Sequence, residues 1–361
     1  MPLTDKEHRS RNYLKEQKPY VYEKVLRFAE KIRRGESIAI IQMQYNYQCN
    51  LTCEHCCVKR LQGKNPNRKM TTGDVASLAK QADAMGLARF VITGGEPLTF
   101  LDLDEIVAAI NPQKFYINVD TNGWLLDEDK ARHLKSIGVD RIQLSLDSMD
   151  AKAHDAFRGR KGSHERALKA VDACLATGLD LYIQTVVTKD RLRSDEFIDF
   201  VRFFNEKNIG VFVSFAKPVG AWEGQYDQCI DSDDLVFFQK LEKEHRVYSH
   251  LTPGYGIDMG CIAVKGMFSV TQYGDVLPCP YMHISLGNIF EEPLSHIVQR
   301  GLGYKYFGEK IDICTIAQDR RFFKNYLETK IYGQSLPVNC SEVFDIDDMT
   351  TDPFHKNLHS T

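Results

Sequence analysis

The sequence predicts an α/β protein: a parallel sheet, open or curled towards a barrel, followed by a smaller α+β region. Three observations carry that prediction. Between residues 37 and 215, short apolar β-rich runs alternate with amphipathic segments of helical spacing, the pattern of right-handed βαβ crossovers. After about residue 216 the rhythm breaks, and Gly, Tyr, Cys and Pro become frequent. The length of 361 residues, 43% of them hydrophobic and 26% charged, suits one large domain with a smaller appendage.

The elements follow in order. Residues 5–36 read as helical and charged, with Tyr20, Tyr22, Val25, Leu26, Phe28 and Ile32 as an apolar stripe. Strands are expected at 37–45, 88–93, 114–120, 140–146, 179–188 and 209–215, with helices at 71–86, 101–110, 127–138, 163–178 and 194–208. Thr71 before Asp74 is a helix start signal, and Gly86, Gly138 and Gly178 are stop signals. Further on, MFSVTQYGDVLPC reads as a β-hairpin turning at Tyr273-Gly274-Asp275. The division is then an N-terminal helical extension (1–37), the α/β unit (38–216), a connecting segment (217–249), a cysteine-bearing domain (250–345) and a polar, disordered tail (346–361).

Composition narrows the function. A net charge of −3 gives no reason to expect nucleic acid as a partner. The polar N-terminus lacks the apolar core of a signal peptide, and no apolar run approaches the roughly 20 residues a bilayer needs. The expectation is a cytoplasmic protein without membrane contact. There thiols stay reduced, and clustered cysteines more often bind metal or react than pair.

The stretch YNYQCNLTCEHCCVKR places Cys49, Cys53, Cys56 and Cys57 directly after the first strand. On a loop, a C-x3-C-x2-C spacing lets three thiolates converge on one inorganic centre. No second C-x2-C unit follows, as a zinc knuckle would normally require. An iron–sulfur cluster is also held by thiolates, and three of them leave one iron open to another ligand. Zinc in a non-radical metalloprotein is the competing reading.

The chain resembles the radical S-adenosylmethionine (SAM) enzymes at several motifs in sequence order. Cys49-NLT-Cys53-EH-Cys56 matches the family's cluster motif, including an aromatic-type residue, His55, before the third cysteine. Gly94, Gly95, Glu96 and Pro97, after the second strand, resemble the GGEP motif whose backbone meets the methionyl amino group. Thr121 and Asn122 follow the third strand, Ser145 and Asp147 belong to the QLSLDS stretch of the fourth, and Arg158 lies where the family often places an arginine near the methionyl carboxylate. The resemblance implies a partial (β/α)6 barrel of parallel strands with a smaller C-terminal α+β cluster-binding domain. It also implies a SAM-binding [4Fe–4S] cluster on Cys49, Cys53 and Cys56, and reductive cleavage of SAM to a 5′-deoxyadenosyl radical. Cys57 has no place in that motif and reads as a small buried hydrophobe.

Cys261 and Cys279, spaced C-x12-G-x4-C, resemble the opening of the SPASM and twitch domains that hold auxiliary [4Fe–4S] clusters, and the later HISLGNIF stretch agrees. The remaining cysteines of a full SPASM pattern are missing; Cys314 and Cys340 alone follow. The resemblance therefore implies one auxiliary cluster, on Cys261, Cys279, Cys314 and Cys340. It further implies an oxidoreductase or related radical transformase of a biosynthetic pathway. The reactions in view are dehydrogenation, epimerisation or carbon–carbon bond formation on a small molecule, with a flavodoxin or ferredoxin as electron donor. Maturation of a ribosomal peptide is the alternative; the segment ahead of the barrel is too short for an independent leader-binding module. Polar strand-end residues Asp120, Asn122, Gln143, Gln184, Ser214 and Lys217 are candidates to meet a hydroxylated substrate.

Overall fold

In a computed structural model, which describes residues 5–63, 65–254 and 257–356, the six expected strands form in order. They are β1 (Ile40–Asn46), β2 (Arg89–Gly94), β3 (Tyr116–Thr121), β4 (Arg141–Ser145), β5 (Asp180–Val187) and β6 (Gly210–Phe215). Each pairs in parallel with its sequence neighbour. β3 and β6 are nearly all buried, whereas β4 and β5 alternate between buried and partly exposed residues. The fold is a parallel partial barrel.

The crossover helices Thr72–Ala84, Leu103–Ile110, Glu128–Ser136, Ser163–Thr177 and Asp195–Glu206 lie where helical spacing predicts them. Thr71 and Asp74 form a capping box, and Gly178 ends its helix with φ of 62°. Besides Ser232–Glu244 in the connecting segment, a helix between β4 and β5 was not expected: Ala151–Arg158, started by Asp150 accepting from the Ala153 amide. It is short, and its start signal lies in a polar stretch read as motif rather than helix.

Three further strands extend the sheet. β7 (Val247–Tyr248) joins β6, and the predicted hairpin forms as β8 (Met267–Val270) and β9 (Val276–Leu277). β8 pairs in parallel with β1, so the sheet runs β7-β6-β5-β4-β3-β2-β1-β8-β9. The C-terminal region is thus hydrogen-bonded to the barrel edge. Its two-stranded sheet, β10 (Ile284–Ser285) with β11 (Val338–Asn339), lies beyond.

Helices Asp5–Gln17, Pro19–Leu26 and Phe28–Arg33 cover the amino ends of the strands. Val21, Val25, Phe28 and Ile32 pack with Ile38, Ala88 and Tyr116, while Tyr20 and Leu26 of the expected stripe are about half exposed. A buried Lys18–Asp140 ion pair of 2.5 Å ties this cap to the start of β4. The tail is not disordered throughout: Phe354 is buried in the same cluster, because one aromatic ring offers enough apolar area to hold a polar segment in place. Residues 357–361 lie outside the described ones. With one end of the barrel closed, the carboxyl ends of the strands remain for a site.

Candidate functional site

The loop after β1 crosses the carboxyl ends of the strands and is held at many points. The Gly95 amide donates to Asn46 (2.7 Å), the Glu96 amide to Gln48 (2.8 Å) and the Glu54 amide to Phe157 (3.0 Å). A Cβ on Gly94 would sit 2.4 Å from the Asn46 carbonyl oxygen, and one on Gly95 1.9 Å from that of Gln48. The glycine pair is therefore required by the cysteine loop itself, where sequence reasoning placed only a ligand. Pro97 opens the short turn Pro97–Thr99, with Glu96 capping it.

Glu96 is a brace. Its buried carboxylate accepts from the Thr121 hydroxyl (2.6 Å), the Asn122 amide (2.7 Å) and the Leu98 amide (3.0 Å), joining the ends of β2 and β3. Burial raises its pKa against these hydrogen bonds. The motif resemblance placed Glu96 near the methionyl amino group; most of its acceptor capacity is already used within the protein. Asn122 reaches the cysteine loop through Asn50 (2.8 Å).

Asp147 and Arg158 form a buried pair, Nε to Oδ2 2.6 Å. Burial opposes the Asp147 charge, but the guanidinium and the Val186 amide hold its pKa down at about 2. Arg158 also points its Nη1 at the Cys53 sulfur, 3.9 Å away. The motif reading gave these residues separately; the fold makes them one unit aimed at a cysteine. His55 stacks on Phe157 at 4.5 Å, and burial keeps it neutral with a pKa of about 3.

Cys49, Cys53 and Cys56 are free thiols lining one cavity of about 610 Å³, together with Gly95, Asn122 and Arg158. Ser145 borders the same cavity. Asp120, near the end of β3, lines it too, and its buried Oδ1 has no hydrogen-bond partner among the described residues. Burial, then neighbouring Glu96, raises its pKa to about 8. Of the other strand-end candidates, Gln184 lines the cavity and accepts from Gln143 at 2.5 Å. Ser214 and Lys217 line a smaller adjoining cavity.

In the C-terminal region, Cys261, Cys279 and Cys314 stand within electrostatic reach of one another. Burial raises the Cys279 thiol to about 11, with Cys261 adding to it. Cys340 is not brought to this group. It follows β11, which pairs with β10, and its sulfur meets the Tyr304 hydroxyl, with Arg300 in electrostatic reach. The expected fourth thiol is thus found against Tyr304 rather than with Cys261, Cys279 and Cys314. Cys57, read as a small buried hydrophobe, is only half-buried, borders both cavities and lies within electrostatic reach of Cys56 and Cys279. Its place depends on the C-terminal hairpin docking on β1, a contact no local pattern announces.

The residues fit the groups that the motifs imply. Three thiols share a cavity with a neutral histidine and a carboxylate with one unpartnered oxygen, and three more thiols gather beside it. A three-cysteine loop at the mouth of a parallel partial barrel, with a second thiol group behind it, defines a radical SAM protein. The comparisons agree: residues 43–204 match the radical SAM superfamily, and residues 261–318 match SPASM, an iron–sulfur cluster-binding domain. The chain belongs to the radical SAM enzymes and carries a SPASM-type C-terminal domain. Its cofactors are a [4Fe–4S] cluster with SAM and an auxiliary iron–sulfur cluster.

An AdoMet-dependent heme synthase of Nitratidesulfovibrio vulgaris is 24% identical over 298 residues, covering 74% of this chain and 80% of that one. One from Methanosarcina barkeri is 27% identical over 287 residues, covering 72% and 81%. A GTP 3′,8-cyclase of Staphylococcus aureus is 28% identical over 215 residues, covering 57% and 62%. Among solved structures, Streptococcus suis SuiB bound to precursor peptide SuiA has a TM-score of 0.57 at 20% identity, covering 75% of this chain and 67% of that one. The corresponding values for anSMEcpe with bound AdoMet are 0.53, 20%, 72% and 80%. These structures share the fold. Among the described residues, no helix is long and apolar enough to cross a membrane.

Proposed function

We propose that this enzyme acts on a small molecule held in the cavity at the carboxyl ends of the strands. The observation that carries the reading is Asp120: a carboxylate lining the same cavity as Cys49, Cys53 and Cys56, with one oxygen, Oδ1, buried and without a hydrogen-bond partner among the described residues. A buried acceptor without a partner is costly unless a ligand satisfies it. The substrate is accordingly a hydrogen-bond donor, hydroxylated or cationic at the group that meets Asp120. The relatives named for heme synthesis and GTP cyclisation support a small molecule.

In this reading Cys49, Cys53 and Cys56 hold the SAM-binding cluster, and Cys261, Cys279 and Cys314 hold the auxiliary one. When bound, the first cluster and SAM supply reductive cleavage to a 5′-deoxyadenosyl radical that takes a hydrogen atom from the substrate. The chain's own residues orient and exclude. Arg158, fixed by Asp147, presents its remaining guanidinium N–H groups beside Cys53, where a carboxylate of the cofactor is recognised. Neutral His55 and Phe157 shield the thiols from water. Glu96 holds β2 and β3 at the spacing the loop needs. Residues 38–216 form the SAM-cleaving unit and 250–345 the auxiliary unit. The electron donor is a flavodoxin or ferredoxin.

The test uses anaerobically reconstituted enzyme with reductant and SAM, measuring 5′-deoxyadenosine. A low-molecular-mass ultrafiltrate of cell extract stimulates its formation if the substrate is small. Stimulation by the retained macromolecular fraction alone would make the substrate a peptide or protein and overturn the reading.

A further inference from the structure

Lys217 follows β6 and is buried, 6% exposed. Its Nζ donates to the Phe215 carbonyl (2.6 Å) and the Ser214 hydroxyl (3.2 Å), and lies 4.0 Å from the centre of the Tyr281 ring. Ser214 and Tyr281 are themselves hydrogen-bonded at 2.8 Å, so the ammonium is held in one place. Three other buried lysines have carboxylates, Lys18 with Asp140, Lys24 with Asp83 and Lys31 with Glu36, while Lys265 donates to two backbone carbonyls. Among the described residues, Lys217 has no carboxylate at ion-pair distance.

Thiols face it instead. Tyr281, under the ammonium, is two residues from Cys279, and Cys57 lines the same small cavity as Lys217. The charge of Lys217 acts on Cys57, Cys229, Cys279 and Cys314, and on His250, which desolvation keeps neutral. An ammonium buried without a counter-charge is unfavourable. Ligated by thiolates, an iron–sulfur cluster is anionic, and its reduction potential depends on the charges and hydrogen bonds around it.

We propose that Lys217 is the buried counter-ion of the auxiliary cluster and that it raises the cluster's reduction potential. Reduction makes the cluster more negative, so a fixed neighbouring cation favours the reduced form. The auxiliary centre is thereby made a better acceptor for an electron leaving the substrate. The inference rests on the auxiliary-cluster reading of Cys261, Cys279 and Cys314.

The experiment is an anaerobic redox titration, followed by EPR, of the full-length holoenzyme as wild type, Lys217→Met and Lys217→Arg. The SAM-binding cluster is the one whose signal changes when SAM is added; the auxiliary cluster is the one that does not respond. In Lys217→Met the auxiliary midpoint moves to a more negative potential, in Lys217→Arg it stays near wild type, and the SAM-responsive midpoint is unmoved in both. An unmoved auxiliary midpoint in fully loaded Lys217→Met overturns the proposal, as does an equal shift in both variants. If Lys217→Met loses the second cluster, iron and sulfide counts decide. Retention by Lys217→Arg supports the charge role, and loss by both variants overturns it. A wild-type enzyme with no SAM-insensitive cluster would sink the auxiliary reading itself.

Discussion

A Cβ on Gly95 would lie 1.9 Å from the Gln48 carbonyl oxygen. No rotamer change relieves such a clash, because the obstacle is backbone on both sides. Gly95→Ala must displace the loop that carries Cys49. The expected result is a folded protein that loses iron at the SAM-binding site, read as a lower iron and sulfide count. Full loading in the variant would show that the loop tolerates the shift.

The Asp147–Arg158 pair is buried on both sides, at 5% and 6% exposure. Removing one partner leaves an uncompensated charge, which costs about 3–5 kcal/mol. Arg158→Met should lower denaturant stability of the cluster-free protein by that order. It should also weaken SAM binding. The pair's pH dependence follows from Asp147, whose folded pKa of about 2 lies below its ordinary value. Its contribution is present in full above the ordinary carboxylate range and is lost as pH falls towards about 2.

Asp120 behaves in the opposite sense. Its pKa, raised from 3.8 to about 8, means that the folded protein binds a proton the unfolded chain releases. Its stabilising contribution is present below about pH 4 and disappears as pH rises through about 8. Wild-type stability should therefore fall relative to Asp120→Asn between pH 5 and 8, each value read against the pKa limits just stated. Chemical denaturation of cluster-free protein at both pH values measures it. Parallel pH profiles would mean that Asp120 stays ionised.

The two late cysteines should separate cleanly. Cys314 lies with Cys261 and Cys279, whereas Cys340 lies against Tyr304. In a Cys49→Ala, Cys53→Ala, Cys56→Ala background, adding Cys340→Ala should leave the auxiliary-cluster spectrum in place. Adding Cys314→Ala should abolish or alter it. The reverse result would restore Cys340 to the ligand set.

Much of this was legible in one dimension because the signals are local. Strand and helix periodicity, the Thr71 cap, the Gly178 stop and the hairpin at Gly274 each depend on neighbours a few residues away. The cysteine spacing and the GGEP stretch are also local, and together they identify the chemistry before any contact is known. Ala151–Arg158 escaped because a helix of two turns offers too few apolar positions to show a period.

By itself, the sequence determined the order of the elements, the three-thiol loop and the class of cofactor. Each follows from short-range spacing and residue type. Only the tertiary structure decided that the glycine pair makes room for the loop and that Glu96 is a brace. It alone placed Arg158 on Asp147 beside Cys53, Cys340 away from its expected partners, and Cys57 and Lys217 beside the auxiliary thiols. Those placements depend on strands pairing across more than two hundred residues, β8 with β1 above all, and a long-range register leaves no mark in local spacing.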